Sequence, residues 1–354
     1  MFKLNHIDRI QRLRLLAIVP VFIVAVLNTG YQYLVSRALN NTTGTGDWRS
    51  RMIENFVGEG LEPDIFTALA AGLVHVFPVL MAALLTAGIW ERVFAAGRGR
   101  QFDSGFIYLA VLFTFFMHPS VSLFHVVFGM SFGMVFARGI FGGEGRSFLS
   151  PVLVGVAVVQ ISFPAALTDH PIWNNIAGYS GTTSLMTYHQ EGLSGLTWSG
   201  IEWWDAFVGI TPGLMGTTSV AAAILGGAIL VFARVASLRL VVGHIIGLVM
   251  ASIVFNTVTG GIMDLPWYWH LVLGSFAFGV IFLATDPSSS CVTNSGRWTQ
   301  GIIAGGLIVL LRVVNPSHPD GVIPVLLLVS MLSPLIDHIV IWFNIRQRAL
   351  RHGG

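Results

Sequence analysis

The sequence predicts an all-α, polytopic integral membrane protein with about ten transmembrane helices. Of its 354 residues, 54% are hydrophobic and only 10% are charged, and the mean hydropathy is +0.75. A soluble domain carries about a quarter of its residues as Asp, Glu, Lys or Arg, because its surface faces water. The composition therefore excludes a cytosolic globular enzyme, a disordered chain, a coiled coil and a disulfide-linked scaffold.

Ten apolar stretches are predicted to be membrane helices, and the third and ninth of them are short. A helix needs about 20 mostly apolar residues to cross the bilayer, and shorter helices are tolerated where other helices surround them. We expect the whole chain, residues 1–354, to form a single membrane domain. The predicted spans are 15–37, 66–90, 104–118, 120–139, 150–168, 217–235, 239–258, 268–285, 299–314 and 321–344.

The positions of the basic residues support this count and predict the orientation. Lys and Arg gather on the cytoplasmic side of membrane proteins. If the N-terminus is cytoplasmic and the chain crosses ten times, the C-terminus is cytoplasmic too. All but four of the 19 Lys and Arg residues then fall on the cytoplasmic side, and the four exceptions are Arg37, Arg49, Arg51 and Arg312.

Two predicted outer loops, residues 38–65 and 169–216, are unusually long. A loop of this length without clear periodicity is usually functional or disordered. The second loop contains four tryptophans, whose amphipathic rings favour packing at the membrane interface over disorder. These are Trp173, Trp198, Trp203 and Trp204.

A weak internal repeat relates the fourth and eighth predicted spans. The fourth contains Phe132-Gly133 after a histidine, and the eighth contains Phe278-Gly279 after a histidine. Both spans are predicted to run from outside to inside, so a duplication would relate the two halves by an axis along the membrane normal. Chance similarity between two helices rich in Gly and Phe is the alternative.

Three acidic residues lie at or within predicted span ends, where a charge requires either a function or wet surroundings. Glu91 ends the second span, Asp286 follows the eighth, and Asp337 lies in the last. Asp286 precedes three serines, and this set of oxygens suits a hard cation. The Asp286 carboxylate would equally serve as a cap for orphan backbone groups. Proximity to the interface is an equal explanation for Glu91 and Asp337.

The second outer loop also contains a glycine- and hydroxyl-rich stretch, residues 178–187. Its oxygens suit hydrogen bonding to phosphate or covalent modification, whereas composition alone favours an ordinary polar turn. Four histidines in or near the spans are interpreted as hydrogen-bonded residues between helices rather than haem ligands. They are His118, His125, His244 and His270.

Other classes of site are excluded or assigned to partners. The net charge of +2 gives no electrostatic argument for nucleic acid binding. Cys291 is the only cysteine, which excludes disulfides and cysteine-ligated metal clusters within the chain, and no metal site is predicted. The sequence contains no dinucleotide-binding fingerprint and no CxxC motif, so NADH or iron–sulfur sites, if the function involves them, would lie on partner proteins.

Several stretches resemble the B subunits of the sodium-translocating NADH:quinone oxidoreductases and, more distantly, the D subunits of the Rnf complexes. The strongest are Ala284-Thr-Asp-Pro287 with Thr293-Asn-Ser-Gly-Arg297, and the stretch 312–321. The resemblance covers about residues 75–350 in order, and the stretches at 204–213 and 266–274 favour the sodium pump over Rnf. The remaining matching stretches are 141–146, 334–338 and 344–346.

The resemblance implies ten helices and a flavoprotein subunit of a six-subunit translocase in the bacterial inner membrane, which passes electrons toward quinone while Na⁺ is transported. It implies FMN joined through its phosphate to Thr183, with Ser180 and Gly181 in the same flavin loop, and a flavin transferase that attaches it. Non-covalent riboflavin is also implied. The family usually has Ala where this chain has Thr182, the alternative acceptor, and Asp where it has Ala177.

The same resemblance implies further roles for the acidic residues. Asp286 and Asp337 match acids linked to the cation pathway, and Gly88 and Glu91 match a stretch associated with quinone reduction. The first span starts near residue 15, without the longer N-terminal extension of typical B subunits, so we expect a less complete quinone region. The alternatives are an Rnf-type D subunit and a flavin-less membrane carrier of the same fold.

Overall fold

The computed structural model describes residues 2–40, 48–57, 64–143, 147, 149–164, 184–258, 265–315 and 320–352. Within these ranges the chain forms helices and turns, with no β-strand. We number the α-helices α1 to α14 and name two π-helical segments π1 and π2. Their bounds are α1 Phe2–Asn40, α2 Trp48–Val57, α3 Ile65–Gly97, α4 Gly105–Phe115, α5 Leu123–Phe132, π1 Gly133–Gly139, α6 Pro151–Ser162, α7 Ser184–Trp198, α8 Trp203–Val208, α9 Val220–Phe232, α10 Leu238–Val258, α11 Trp267–Val272, α12 Phe276–Phe278, π2 Gly279–Ala284, α13 Asn294–Val314 and α14 Val322–His352.

Each of the ten predicted spans overlaps helical structure in the described residues, and the all-α, polytopic fold class is confirmed. Residues 165–168 of the fifth predicted span lie outside the described residues. The eighth predicted span is built from α11, α12 and π2 in succession. In the described part of the chain, five helices are long and apolar enough to cross a membrane: Arg9–Ala38, Ile65–Gly97, Leu238–Val258, Asn294–Val314 and Val322–Gln347. Four shorter apolar helices account for further predicted spans: Gly105–Phe115, Leu123–Gly139, Pro151–Ser162 and Val220–Phe232.

Local sequence determines where several of these helices begin. The hydroxyl of Ser219 accepts a hydrogen bond from the backbone N–H of Ala222 at 3.1 Å, and Thr293 accepts one from Gly296 at 3.1 Å. Both side chains satisfy an N–H group that has no partner within its own helix. Pro151 is the first residue of α6, where its fixed φ suits a helix and its missing N–H costs nothing.

The centre of the main core is a cluster of phenylalanines where the end of α4 meets α12. The ring centroid of Phe278 lies 5.7 Å from that of Phe115 and 5.3 Å from that of Phe116. Phe282 of π2 continues the cluster at 4.9 Å from Phe278. All four side chains are buried, so the third and eighth predicted spans share one apolar cluster.

A non-helical segment before α9 packs against the end of α4. The N–H of Met215 donates to the carbonyl of Met117 at 3.2 Å, and that of Gly216 donates to Phe115 at 3.0 Å. Irregular backbone inside a membrane protein is tolerated only where the surrounding protein or water satisfies its polar groups. These two bonds satisfy two N–H groups of the segment before α9 and two carbonyl groups at the end of α4.

Helices α10 and α13 approach closely because glycines face the opposite backbone. A Cβ atom at Gly247 would overlap the carbonyl of Ile302, and one at Gly305 would overlap the carbonyl of His244. Small residues allow helix backbones to approach in this way within membranes. The close approach fixes His244 deep in the bundle, where it is 1% exposed.

The two π-helices begin at the glycines that define the sequence repeat. π1 starts at Gly133, directly after Phe132, and π2 starts at Gly279, directly after Phe278. π-Helices are rare and usually occur as single turns within α-helices, frequently at functional sites. Their appearance at matching Phe-Gly pairs adds a shared backbone feature to the weak repeat in the sequence.

The second long outer loop contains α7 and α8, which pack over α11. The ring of Trp203 lies 5.3 Å from that of Phe207 in a stacked arrangement, and its Nε1 donates to the carbonyl of Tyr268 at 3.2 Å. Trp203 thus packs as expected, whereas Trp198 and Trp204 are 84% and 65% exposed. Trp173 lies outside the described residues.

Candidate functional site

Glu91 is a buried carboxylate held by two arginines. It lies near the end of α3 and is 1% exposed. Its Oε2 accepts a bond from Arg138 Nε at 3.0 Å, and its Oε1 accepts one from Arg100 Nη2 at 3.2 Å. From the sequence, Glu91 was either a hydrated residue near the membrane interface or a functional residue. Because its side chain is buried, the first interpretation is wrong.

Arg138 also binds a second carboxylate, that of Asp103. Its Nη2 donates to Asp103 Oδ2 at 2.6 Å, and Gln11 Nε2 donates to Asp103 Oδ1 at 2.8 Å. We call Gln11, Glu91, Arg100, Asp103 and Arg138 the inner ion cluster. It joins α1, α3, the turn before α4 and π1, and it pairs two carboxylates with two guanidinium groups, as buried charges require.

Gly88 lies one turn before Glu91 on α3 and faces an aromatic side chain. A Cβ atom at Gly88 would lie 3.3 Å from Cε2 of Phe106. This distance is shorter than ordinary van der Waals contact, so the ring of Phe106 would have to shift if a larger residue replaced the glycine. Gly88 therefore sets the spacing between α3 and α4 beside the inner ion cluster.

Asp286 occupies the turn that follows π2. Its Oδ1 accepts the backbone N–H of Ser288 at 3.2 Å and pairs with Arg14 Nη2 at 3.4 Å. Both side chains are 13% exposed, and the Arg14 guanidinium lies 5.4 Å from the centre of the Tyr108 ring. Asp286 thus has the local capping bond that the sequence suggested, together with a distant ionic partner on α1.

The carboxylate of Asp337, in contrast, accepts three hydrogen bonds from a single short segment. Its Oδ2 accepts the N–H of Val292 at 2.7 Å, and its Oδ1 accepts the N–H and the hydroxyl of Thr293 at 3.1 and 2.5 Å. We call residues 285–293 the serine loop. Asp286 lies at its beginning and Asp337 binds its end, so the two acids predicted for cation passage flank the same loop.

Cys291 and Gln300 complete the attachment of the serine loop, and sequence reasoning gave Gln300 no role. The N–H of Cys291 donates to Gln300 Oε1 at 2.7 Å, and its thiol lies 3.4 Å from the carbonyl of Ser333. Burial, reinforced by the charge of Asp337 and opposed by that of Arg297, raises the pKa of Cys291 to about 12. The sequence did contain a signal for Gln300, because it is a polar residue near the loop end of a predicted apolar span, 299–314.

A second buried arginine, which sequence reasoning did not select as a site residue, lies at the predicted outer side. Arg312 donates to the carbonyls of His270 and Leu273 at 2.8 and 2.9 Å and pairs with Asp320 Oδ1 at 3.3 Å. Burial, followed by the charge of Arg312, lowers the pKa of His189 on α7. The sequence did contain a signal for this pair: an arginine within a predicted apolar span, followed eight residues later by an aspartate.

The predicted flavin loop lies outside the described residues. Ser180, Gly181, Thr182 and Thr183 all fall in this category, as does Ala177. The described chain resumes at Ser184, the first residue of α7. Its hydroxyl is buried and has no hydrogen-bond partner among the described residues, and the N–H groups that begin a helix favour an anion.

The histidines are only partly satisfied. His244 donates through Nδ1 to the carbonyl of Leu240, and His270 faces Arg312. Within the described ranges, however, Nδ1 of His125 and Nε2 of His244 are buried without a hydrogen-bond partner. The prediction that all four histidines are hydrogen-bonded between helices therefore does not account for these two ring nitrogens.

Comparison with known proteins gives one consistent result. The model of the NQR2, RnfD, RnfE family matches residues 2–346. A protein of Azotobacter vinelandii is 38% identical over 339 residues, which cover 94% of this chain and 84% of the relative. A protein of Yersinia pestis is 38% identical over 350 residues, which cover 95% and 84%. Both relatives are named as the B subunit of a Na(+)-translocating NADH-quinone reductase.

Proposed function

Because the chain belongs to the NQR2, RnfD, RnfE family, we propose that it is the B subunit of a Na⁺-translocating NADH:quinone oxidoreductase in a bacterial inner membrane. The observation that carries the proposal is the 37–38% identity over 94% of the chain to relatives that bear this name. The NADH site would lie on another subunit of a six-subunit complex. The protein would receive electrons from a partner and pass them toward quinone while the cation moves.

Thr183 is the proposed attachment point for FMN, through a phosphoester. The beginning of α7 supports this assignment, because Ser184 offers a buried hydroxyl without a partner among the described residues and helix N-termini stabilise phosphate. When bound, a flavin supplies single-electron transfer. The chain's own task is to fix its position and to limit side reactions. A flavin transferase would attach it, and riboflavin would bind without a covalent bond.

For the cation, we assign different roles to the two acids of the serine loop. The Asp286 carboxylate has one N–H donor and one arginine partner at 3.4 Å, and a bond this long leaves it available to attract Na⁺. Asp337 accepts three hydrogen bonds from Val292 and Thr293, and it would act by holding the loop in position. Asp286 is therefore the proposed point of contact with the ion.

Quinone would approach the end of α3. Gly88 keeps α3 and α4 close, and Glu91 is fixed by Arg100 and Arg138. A buried and doubly paired carboxylate provides a rigid boundary rather than a mobile proton donor. We therefore assign Glu91 a positioning role beside the quinone region.

In-gel flavin fluorescence tests the central proposal. The protein, produced with an active flavin transferase and denatured, should give a fluorescent band, because a phosphoester survives denaturation. Thr183→Ala should abolish the band, and Thr182→Ala should leave it unchanged. Loss of fluorescence in Thr182→Ala alone would show that Thr182 is the attachment point. A non-fluorescent band from the unaltered chain would favour a flavin-less carrier.

An Rnf-type D subunit is the second candidate, because the matching family model also includes RnfD proteins. The two complexes differ in their partners. A neighbouring gene for an iron–sulfur protein with repeated CxxC motifs would indicate Rnf, whereas reduction of quinone by NADH in the purified complex would indicate the sodium pump.

A further inference from the structure

A small cavity lies beneath the serine loop and is lined by residues of α6, α10, π2, α13 and α14. Its volume is about 10 Å³, which is the lower limit of the room that one water molecule requires. Five leucine, valine and alanine side chains form the larger part of the wall. The polar part is formed by four side chains: His244, Ser289, Gln300 and Ser330.

His244 lines this cavity, and one of its ring nitrogens has an unused lone pair. Its Nδ1 lies 2.8 Å from the carbonyl of Leu240, and because a carbonyl oxygen only accepts, Nδ1 must carry the proton. Nε2 is then an acceptor in the neutral ring. It is buried, in a side chain that is 1% exposed, and it has no hydrogen-bond partner among the described residues.

The two serines add acceptors rather than donors. The hydroxyl of Ser330 donates to the carbonyl of Leu327 at 2.7 Å, and that of Ser289 donates to the carbonyl of Asp286 at 3.4 Å. Each hydroxyl has a single hydrogen, so both oxygens retain only lone pairs for the cavity.

Gln300 contributes the complementary group. Its Oε1 accepts the N–H of Cys291 at 2.7 Å, and one of its two amide hydrogens is directed to the carbonyl of Ser289 at 3.3 Å. The second amide hydrogen is available. The polar wall thus offers lone pairs from three side chains and one N–H group.

We propose that this cavity binds one water molecule, which donates to His244 Nε2 and to the hydroxyl of Ser289 and accepts from Gln300. A buried water typically makes about three hydrogen bonds to groups that would otherwise lack partners, and this wall supplies that number. A dehydrated Na⁺ fits less well, because hard cations take several oxygen ligands. Here a histidine with an unpartnered ring nitrogen is part of the wall, and none of the described residues that line the cavity is a carboxylate.

The water would join α10 to the serine loop. Gln300 binds the loop directly at Ser289 and Cys291, whereas His244 lies on a different helix and reaches the loop only through the bridging molecule. Loss of the bridge should therefore loosen the loop and uncover Cys291, which is 1% exposed and is the only cysteine of the chain.

A high-resolution cryo-EM map of the complete complex tests the site directly. We expect a density peak at about 2.7–3.2 Å from His244 Nε2, present equally in NaCl and in choline chloride. A peak seen only in NaCl would overturn the proposal in favour of a cation. The absence of a peak in both maps, with the His244 ring well resolved, would overturn it as well.

Alkylation of Cys291 by N-ethylmaleimide, followed on this chain's own band, gives an independent test. His244→Leu should raise the initial labelling rate at least about tenfold, whereas His244→Gln, whose amide oxygen restores an acceptor, should stay within about twofold of the unaltered chain. Equal rates in all three proteins would overturn the proposed bridge. His338→Leu, at an exposed position of α14, controls for general loosening.

Discussion

Asp337 on α14 accepts both the backbone N–H and the hydroxyl of Thr293, at 3.1 and 2.5 Å. The same hydroxyl accepts the N–H of Gly296 and so begins α13. One carboxylate oxygen therefore couples the last helix, the end of the serine loop and the start of the preceding helix. This coupling is the basis of the first prediction.

Asp337→Ala should release the end of the serine loop. The change removes the acceptor for the N–H groups of Val292 and Thr293, at a cost of about 1–3 kcal/mol. We expect a lower thermal midpoint in detergent and faster alkylation of Cys291. The neighbouring exposed His338→Ala is the matched control, and equal alkylation rates in the two variants would show that Asp337 does not hold the loop.

Asp286→Asn should weaken the apparent affinity for sodium while preserving the local turn, because an amide oxygen still accepts the N–H of Ser288. Losing the charge should raise the half-saturating Na⁺ concentration for NADH:quinone turnover about tenfold, which corresponds to about 1.4 kcal/mol. The control is Glu191→Gln, at an exposed position of α7. An unchanged sodium dependence in Asp286→Asn would remove this residue from the proposed pathway.

Glu91→Ala should strongly destabilise the protein. It removes the carboxylate that binds the largely buried Arg138 guanidinium at 3.0 Å, while the bond from Arg138 to Asp103 at 2.6 Å remains. Because Arg138 keeps this partner, we expect the loss of the charged hydrogen bond to cost about 1.5–3 kcal/mol rather than the larger cost of an unpaired buried charge. Thermal unfolding followed by size-exclusion chromatography measures the effect. Arg92→Ala, at the adjacent exposed position, should change stability by less than about 0.5 kcal/mol, and a similar value for both variants would contradict the structural role of Glu91.

Cys291 should react slowly with alkylating reagents, with a steep dependence on pH. The thiolate is the reactive form, and burial raises the pKa of this thiol to about 12 from an ordinary value of 9.0. At pH 8 the thiolate fraction is then about a thousandfold smaller than for an unperturbed thiol, and it grows tenfold per pH unit up to that pKa. Rapid labelling of the folded protein at pH 8 would contradict this, and denaturation in SDS should restore an ordinary rate.

The sequence was sufficient to predict where the apolar helices lie, because hydropathy and the positions of Lys and Arg follow directly from the bilayer. The sequence was insufficient to predict which residues the charged side chains contact. Glu91 and Arg138 are 47 residues apart, and Asp337 and Thr293 are 44 apart, so their pairing depends on how the helices pack. No periodicity indicated that the fourth and eighth spans would change from α- to π-helix.

The flavin and cation assignments show a second limit. The family resemblance assigned Asp286 and Asp337 alike to the cation pathway, and only their hydrogen bonds distinguish them. Arg312, by contrast, could have been identified from the sequence alone, since an arginine inside an apolar span needs a buried partner. Asp320, eight residues further on, is that partner.

The two π-helices have a geometric consequence for the groups that follow them. A residue added to or removed from a helix turns everything beyond it by about 100° around the axis, since one turn contains 3.6 residues. Arg138 lies within π1, and Asp286 lies two residues beyond π2. The direction in which each charged side chain points around its helix axis thus depends on the number of residues in the π-helix. Substitutions within these segments preserve that count, whereas a single deletion in π2 would swing Asp286 away from Arg14.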